Sequence, residues 1–127
     1  PGDTEETIQK TFELSTKLNT LGWNTYAAMA LPGSPLYAEA VKSGIKVPQK
    51  YEEFSFHSYE TIPLPTDSLE PWRILQLRDK KFTEYFGRTE FLNEIEKKFG
   101  PKARQNIIKM NKKTLRRKII EEAFNRG

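Results

Sequence analysis

Glycine and proline cut this chain into short pieces, and that limits what it can fold into. Gly22, Pro32-Gly33, Gly44, Pro48, Pro63, Pro65, Gly87 and Gly100-Pro101 leave room for short helices and for one strand. Glycine reaches the left-handed conformation that ends a helix, and proline removes a donor from a helix or a sheet ladder. Between the interruptions the spacing is mostly helical. Ile8, Phe12, Leu14-Ser15 and Leu18 make one stripe behind a cap at Asp3 or Thr4. Glu5 and Glu6 stand where the helix dipole favours negative charge, and Gly22 is the expected stop. Ser34 caps a second helix that has Pro35 in its first position and ends at Gly44. Asp67 or Ser68 caps a third, running past Trp72, Leu75, Leu77, Phe82, Tyr85 and Phe86 to Gly87. A fourth follows Thr89, and a fifth is predicted from Pro101 to about Phe124.

Trp23 to Leu31 is the one strand candidate, rich in aromatic and small residues and closed by Pro32-Gly33. Helix, glycine and strand in that order match the second half of a βαβ unit whose first strand is absent. Residues 45–67, with Pro48, Pro63 and Pro65 among Tyr51, Phe54, Phe56 and Tyr59, read as a long irregular connection. The fold class expected is mainly α with an α/β remnant: about five helices and one short strand.

Composition narrows the chemistry. The 127 residues suit one domain, and fifteen aromatics supply core and argue against a solvated tail. There is no cysteine, which excludes disulfides, a thiolate zinc site, a cysteine nucleophile and any iron–sulfur cluster held by this chain's own sulfur. No apolar run approaches the roughly 20 residues of a membrane span. The opening Pro1-Gly2-Asp3-Thr4 shows no signal peptide and reads as the start of a fragment. The net charge of +4 is unevenly spread: residues 1–96 hold 10 Lys/Arg against 15 Asp/Glu, and residues 97–127 hold 11 against 2. Any electrostatic attraction to a partner therefore belongs to the C-terminal segment.

Three stretches together carry a family likeness: Pro1-Gly2-Asp3-Thr4-Glu5-Glu6-Thr7, Tyr26-Ala27-Ala28-Met29-Ala30-Leu31-Pro32-Gly33-Ser34-Pro35-Leu36-Tyr37, and His57-Ser58-Tyr59-Glu60-Thr61-Ile62-Pro63-Leu64-Pro65-Thr66. With Phe99-Gly100-Pro101 and the basic helix after it, the chain resembles the C-terminal portion of radical S-adenosylmethionine enzymes of the cobalamin-binding group. The resemblance implies that residues 1–44 are the last helix, strand and loop of a partial (β/α) barrel, and residues 45–127 a covering loop with a helical extension. It implies S-adenosylmethionine, a four-iron four-sulfur cluster and cobalamin for the parent protein, and no cofactor held by this fragment alone. The family's CxxxCxxC loop has no counterpart here, so the fragment is expected to close the barrel and cover the site without being catalytic itself. The expected partners are the missing N-terminal part of its own chain and, for the isolated fragment, a second copy. A cytoplasmic location goes with this reading.

The same resemblance puts Ala28, Met29, Ala30 and Leu31 at the adenine end of S-adenosylmethionine, against a plainer reading of core residues and a turn. His57, with Tyr59 and Glu60 beside it, is either a substrate-side cluster for proton transfer or a loop fixed by hydrogen bonds. Asp3, Glu5 and Glu6 need no role beyond the helix start. Residues 97–118 carry ten Lys/Arg and no acid. On one continuous helix Arg104, Lys112 and Arg116 share a side, with Lys109, Lys113 and Arg117 nearby. That surface suits phosphate or an anionic membrane, and the alternative function is a small helical binding module. The plainer reading, a solvated helix face, is favoured because no base-reading motif or stacking platform accompanies the charge.

Overall fold

A computed structural model describes residues 1–125. Arg126 and Gly127, the end of the expected C-terminal extension, lie outside the described residues. The chain forms two compact units, each drawn from separated stretches: Pro1–Thr4, Tyr26–Arg78 and Leu115–Gly127 in the first, Glu5–Thr25 and Asp79–Thr114 in the second. No single cut in the sequence isolates either unit.

Among the described residues there are six α-helices and no strand. They are α1 (Glu5–Leu18), α2 (Pro35–Lys42), α3 (Pro71–Gly87), α4 (Thr89–Phe99), α5 (Pro101–Asn111) and α6 (Lys118–Asn125), with a 3-10 turn at Tyr51–Phe54. Helical character is as the spacing predicts. The strand is not: Trp23 to Leu31 is irregular. A strand exists only by virtue of a ladder, and the facing stretch cannot build one. Pro63 and Pro65 remove two donors from it, and the three that remain go to three different places. Ile62 N–H binds Glu53 O (3.0 Å), Leu64 N–H binds Ala28 O (2.8 Å) and Thr66 N–H binds Leu69 O (3.0 Å).

Three helix ends also differ from expectation. Helix α3 begins at Pro71, so neither Asp67 nor Ser68 stands at its N-cap. Helix α1 stops at Leu18, and Asn19 (φ 47°) rather than Gly22 takes the left-handed conformation. Asparagine tolerates it, and here the Asn19 Oδ1 also accepts from the Arg88 guanidinium at 2.9 Å. The predicted fifth helix breaks into α5 and α6, with residues 112–117 outside either. A continuous helix would set Lys112 over Arg116 and Lys113 over Arg117 at i, i+4, a repulsive pairing in the middle of the segment. Instead the Lys112 and Lys113 N–H groups close α5 on the carbonyls of Ile108 and Met110.

The second unit has an aromatic core. Tyr85 and Phe86 from α3 and Phe91, Leu92 and Ile95 from α4 are buried together, with Phe12, Trp23, Ala103 and Ile107 packed around them. Trp23 stacks on Tyr85 with ring centroids 5.2 Å apart, and Phe12 meets Trp23 edge-on at 5.8 Å. The Tyr85 hydroxyl donates to Thr20 O at 2.8 Å, which satisfies the one polar atom of a fully buried ring. Gly100 (φ 86°, ψ 172°) turns the chain from α4 into α5, where Pro101 takes the first position.

The first unit has a smaller core of Ala30, Ala40, Val47 and Leu64, with Tyr37 and Ile45 against it. Ser34 caps α2 as its sequence predicts: its Oγ accepts from Tyr37 N–H at 3.1 Å. Among the described residues no helix is long and apolar enough to cross a membrane.

Candidate functional site

Of the candidate residues, Arg104, Lys109, Lys112 and Lys113 belong to the second unit; the first unit holds the rest and docks loop 56–60 on two sides. On one side Tyr26 packs against Phe56 with centroids 4.6 Å apart and against His57 edge-on at 6.4 Å. The loop is anchored upstream by Glu53, whose carboxylate accepts from the N–H groups of Gln49 (2.6 Å) and Lys50 (3.1 Å). Those two bonds, Gln49 first, hold its pKa below the usual carboxylate range.

On the other side lies α6. Arg117, just ahead of it, is only 2% exposed and donates from one guanidinium nitrogen to Phe56 O (2.9 Å) and Ser58 O (3.0 Å). Lys118 N–H donates to Tyr59 O at 2.9 Å. Around this buried bridge sit exposed contacts. The Tyr59 hydroxyl donates to the Glu121 carboxylate (2.8 Å), which also accepts a two-pronged bond from Arg116 (2.8 and 3.0 Å). Lys118 pairs with Glu60 at 3.0 Å. Arg116 and then Tyr59 hold the Glu121 carboxyl below its usual pKa, and the same carboxylate raises that of the Tyr59 hydroxyl.

Of the expected adenine-side residues, Ala28 is exposed and its carbonyl is taken by Leu64 N–H. Met29 (7% exposed) and Ala30 (0%) are core, the plainer of the two readings, while Leu31 is half exposed. The Leu31 carbonyl is held by Ser34, whose N–H and Oγ both donate to it. His57 is exposed, and among the described residues no hydrogen bond joins it to Tyr59 or Glu60, which are both engaged with α6.

The single-sided basic helix is likewise a misreading, because the helix on which it was drawn is broken. Arg104 is bound to Glu96 at 2.6 Å, Arg116 to Glu121, and Arg117 is buried. Lys109, Lys112 and Lys113 remain exposed on or just after α5. Sequence reasoning missed Glu121 and the burial of Arg117 on the carbonyls of Phe56 and Ser58. A signal for the first was present, since Glu121 and Glu122 follow the basic run after only Ile119 and Ile120. None distinguishes Arg117 from its neighbour.

Beside α6 the first unit opens into a groove of about 770 Å³, floored by Ile45, Ile62, Leu69 and Trp72 and walled by Ile119 and Ala123. The Trp72 ring meets Phe124 edge-on at 6.0 Å. The donor set does not suit an iron–sulfur cluster: the chain has no cysteine, and among the described residues no three His, Asp or Glu side chains converge on a metal position. No protein-family model, curated protein or solved structure matches the chain.

Proposed function

We propose that this chain is the closing C-terminal section of a radical S-adenosylmethionine enzyme of the cobalamin-binding group, completing the barrel and covering its site rather than performing chemistry alone. The observation that carries the reading is a meeting of segments. Residues 26–37 and 57–66, which hold the resemblance and are separated by nineteen residues of unrelated pattern, pack together in one unit through the Leu64–Ala28 hydrogen bond and the edge-on Tyr26–His57 contact. Among the described residues the backbone N–H groups of Ala27 and Met29 donate to no one, as suits a segment that gains a strand neighbour from polypeptide outside this chain. Tyr26, Leu31, Leu36 and Val41 expose 52%, 49%, 38% and 51% of their surface, which such polypeptide would cover. In this reading Ala28 and Leu31 border the adenine and the protein is cytoplasmic.

Two measurements test it. The coding sequence ahead of Pro1 is expected to hold a CxxxCxxC motif, and the longer protein to bind iron and cleave S-adenosylmethionine reductively. Residues 1–127 alone are expected to bind neither. An upstream region without those cysteines, or stoichiometric iron–sulfur absorbance from this chain, refutes the proposal. The alternative, a module that uses Lys109, Lys112 and Lys113 on an anion, is supported by their exposure. It predicts binding to duplex DNA, RNA or anionic vesicles that falls steeply between two salt concentrations.

A further inference from the structure

Helix α6 is built like something attached rather than something packed. It has eight residues and none of them is buried. A helix that short has no stability of its own in water and holds its shape only through what it touches. The stretch before it, residues 113–117, is not helical. Besides one backbone hydrogen bond, from Lys118 N–H to Tyr59 O at 2.9 Å, its side-chain attachments to the 56–60 loop are of two kinds. The exposed ones, Arg116–Glu121–Tyr59 and Lys118–Glu60, lie in water and each is weak. The buried one is Arg117, which ties the carbonyls of Phe56 and Ser58 to the start of the helix.

What α6 covers is as telling. Ile119 and Ala123 make one wall of the groove, and Phe124 lies against the groove's Trp72 while remaining 65% exposed. If α6 lifts, the groove loses a wall, and loop 56–60 with His57 loses the guanidinium that fixes its carbonyls. Small regions with few buried apolar contacts open far more often than the whole fold does.

We infer that α6 is a detachable strap latched by Arg117, whose release opens the groove beside Trp72 and frees the loop that carries His57. The inference stands independently of the radical S-adenosylmethionine reading, since it uses only contacts inside the first unit.

Two experiments on the intact chain test it. Hydrogen exchange of the unmodified protein is the first. Amides of residues 119–125 are expected to exchange at least about 10-fold faster than the Leu64 amide of the same unit, and faster again at high salt. Equal protection means that α6 opens only with the whole unit, and overturns the inference. The second uses fluorine NMR of protein carrying 5-fluorotryptophan, which reports Trp72 in the first unit and Trp23 in the second separately. Arg117→Met is expected to shift the Trp72 resonance, leave Trp23 in place, and speed tryptic cleavage at residues 113–118 by about 10-fold, with Arg117→Lys between the two. An unchanged Trp72 resonance with unchanged cleavage overturns it. So does loss of both resonances' native positions together, because Arg117 would then be core and not a latch.

Discussion

Replacing Tyr85 with phenylalanine removes one oxygen from the most enclosed ring in the second unit, and its cost can be worked out in advance. The ring is 0% exposed and its hydroxyl donates to Thr20 O at 2.8 Å. A buried hydrogen bond contributes about 0.5–1.5 kcal/mol net, and an acceptor left dry costs up to about 3 kcal/mol. Thr20 is exposed, so water can reach its carbonyl once the tyrosine oxygen has gone. The lower figure applies, and Tyr85→Phe should cost about 1 kcal/mol. The stacking on Trp23 at 5.2 Å survives, since phenylalanine keeps the ring. Tyr85→Ala loses that as well and falls in the range of about 3–5 kcal/mol for a buried aromatic. Urea unfolding followed by Trp23 fluorescence, in a Trp72→Phe background so that the reporter belongs to the unit being perturbed, measures both. A Tyr85→Phe cost below about 0.3 kcal/mol, or one equal to that of Tyr85→Ala, refutes the argument that a satisfied hydroxyl and a stacked ring make separate contributions.

Three further outcomes follow from the same contacts. Ser34→Ala should destabilise the first unit by about 1 kcal/mol, read as a shift in thermal midpoint, because it leaves the Tyr37 N–H without its cap. Gly100→Ala should cost about 1–3 kcal/mol although nothing crowds the position, because φ 86° with ψ 172° is open to glycine and hardly to alanine. The α6 attachment should weaken at both pH extremes. Glu121 has a lowered pKa in the fold, so its contribution is complete above the ordinary glutamate value of about 4.3 and is lost as pH falls through the lower folded value. Tyr59 has a raised pKa, so its contribution is complete below about 10 and is lost as pH rises through the higher folded value. Glu121→Gln should reduce the acid-side loss, the Lys118–Glu60 pair keeping its own share, seen as a smaller change of the Trp72 fluorine resonance on acidification than in the unmodified protein.

The local rules that sequence obeys by itself were legible here. Ser34-Pro35, Gly100-Pro101 and the apolar spacing of Phe91, Leu92 and Ile95 set helix starts, stops and buried faces, since caps and amphipathic stripes are decided within one or two turns. The absence of cysteine excluded thiolate-held metals and clusters, because a ligand that is absent cannot be supplied by folding. What sequence could not settle was everything that depends on a partner distant along the chain. Trp23 to Leu31 had the composition of a strand, but only the fold decides whether a ladder stands beside it, and the donors of Ile62, Leu64 and Thr66 go elsewhere. Arg116 and Arg117 are neighbours of identical chemistry. One lies in water on Glu121 and the other is buried on two carbonyls, because position relative to loop 56–60, some sixty residues away, fixes the fate of each charge.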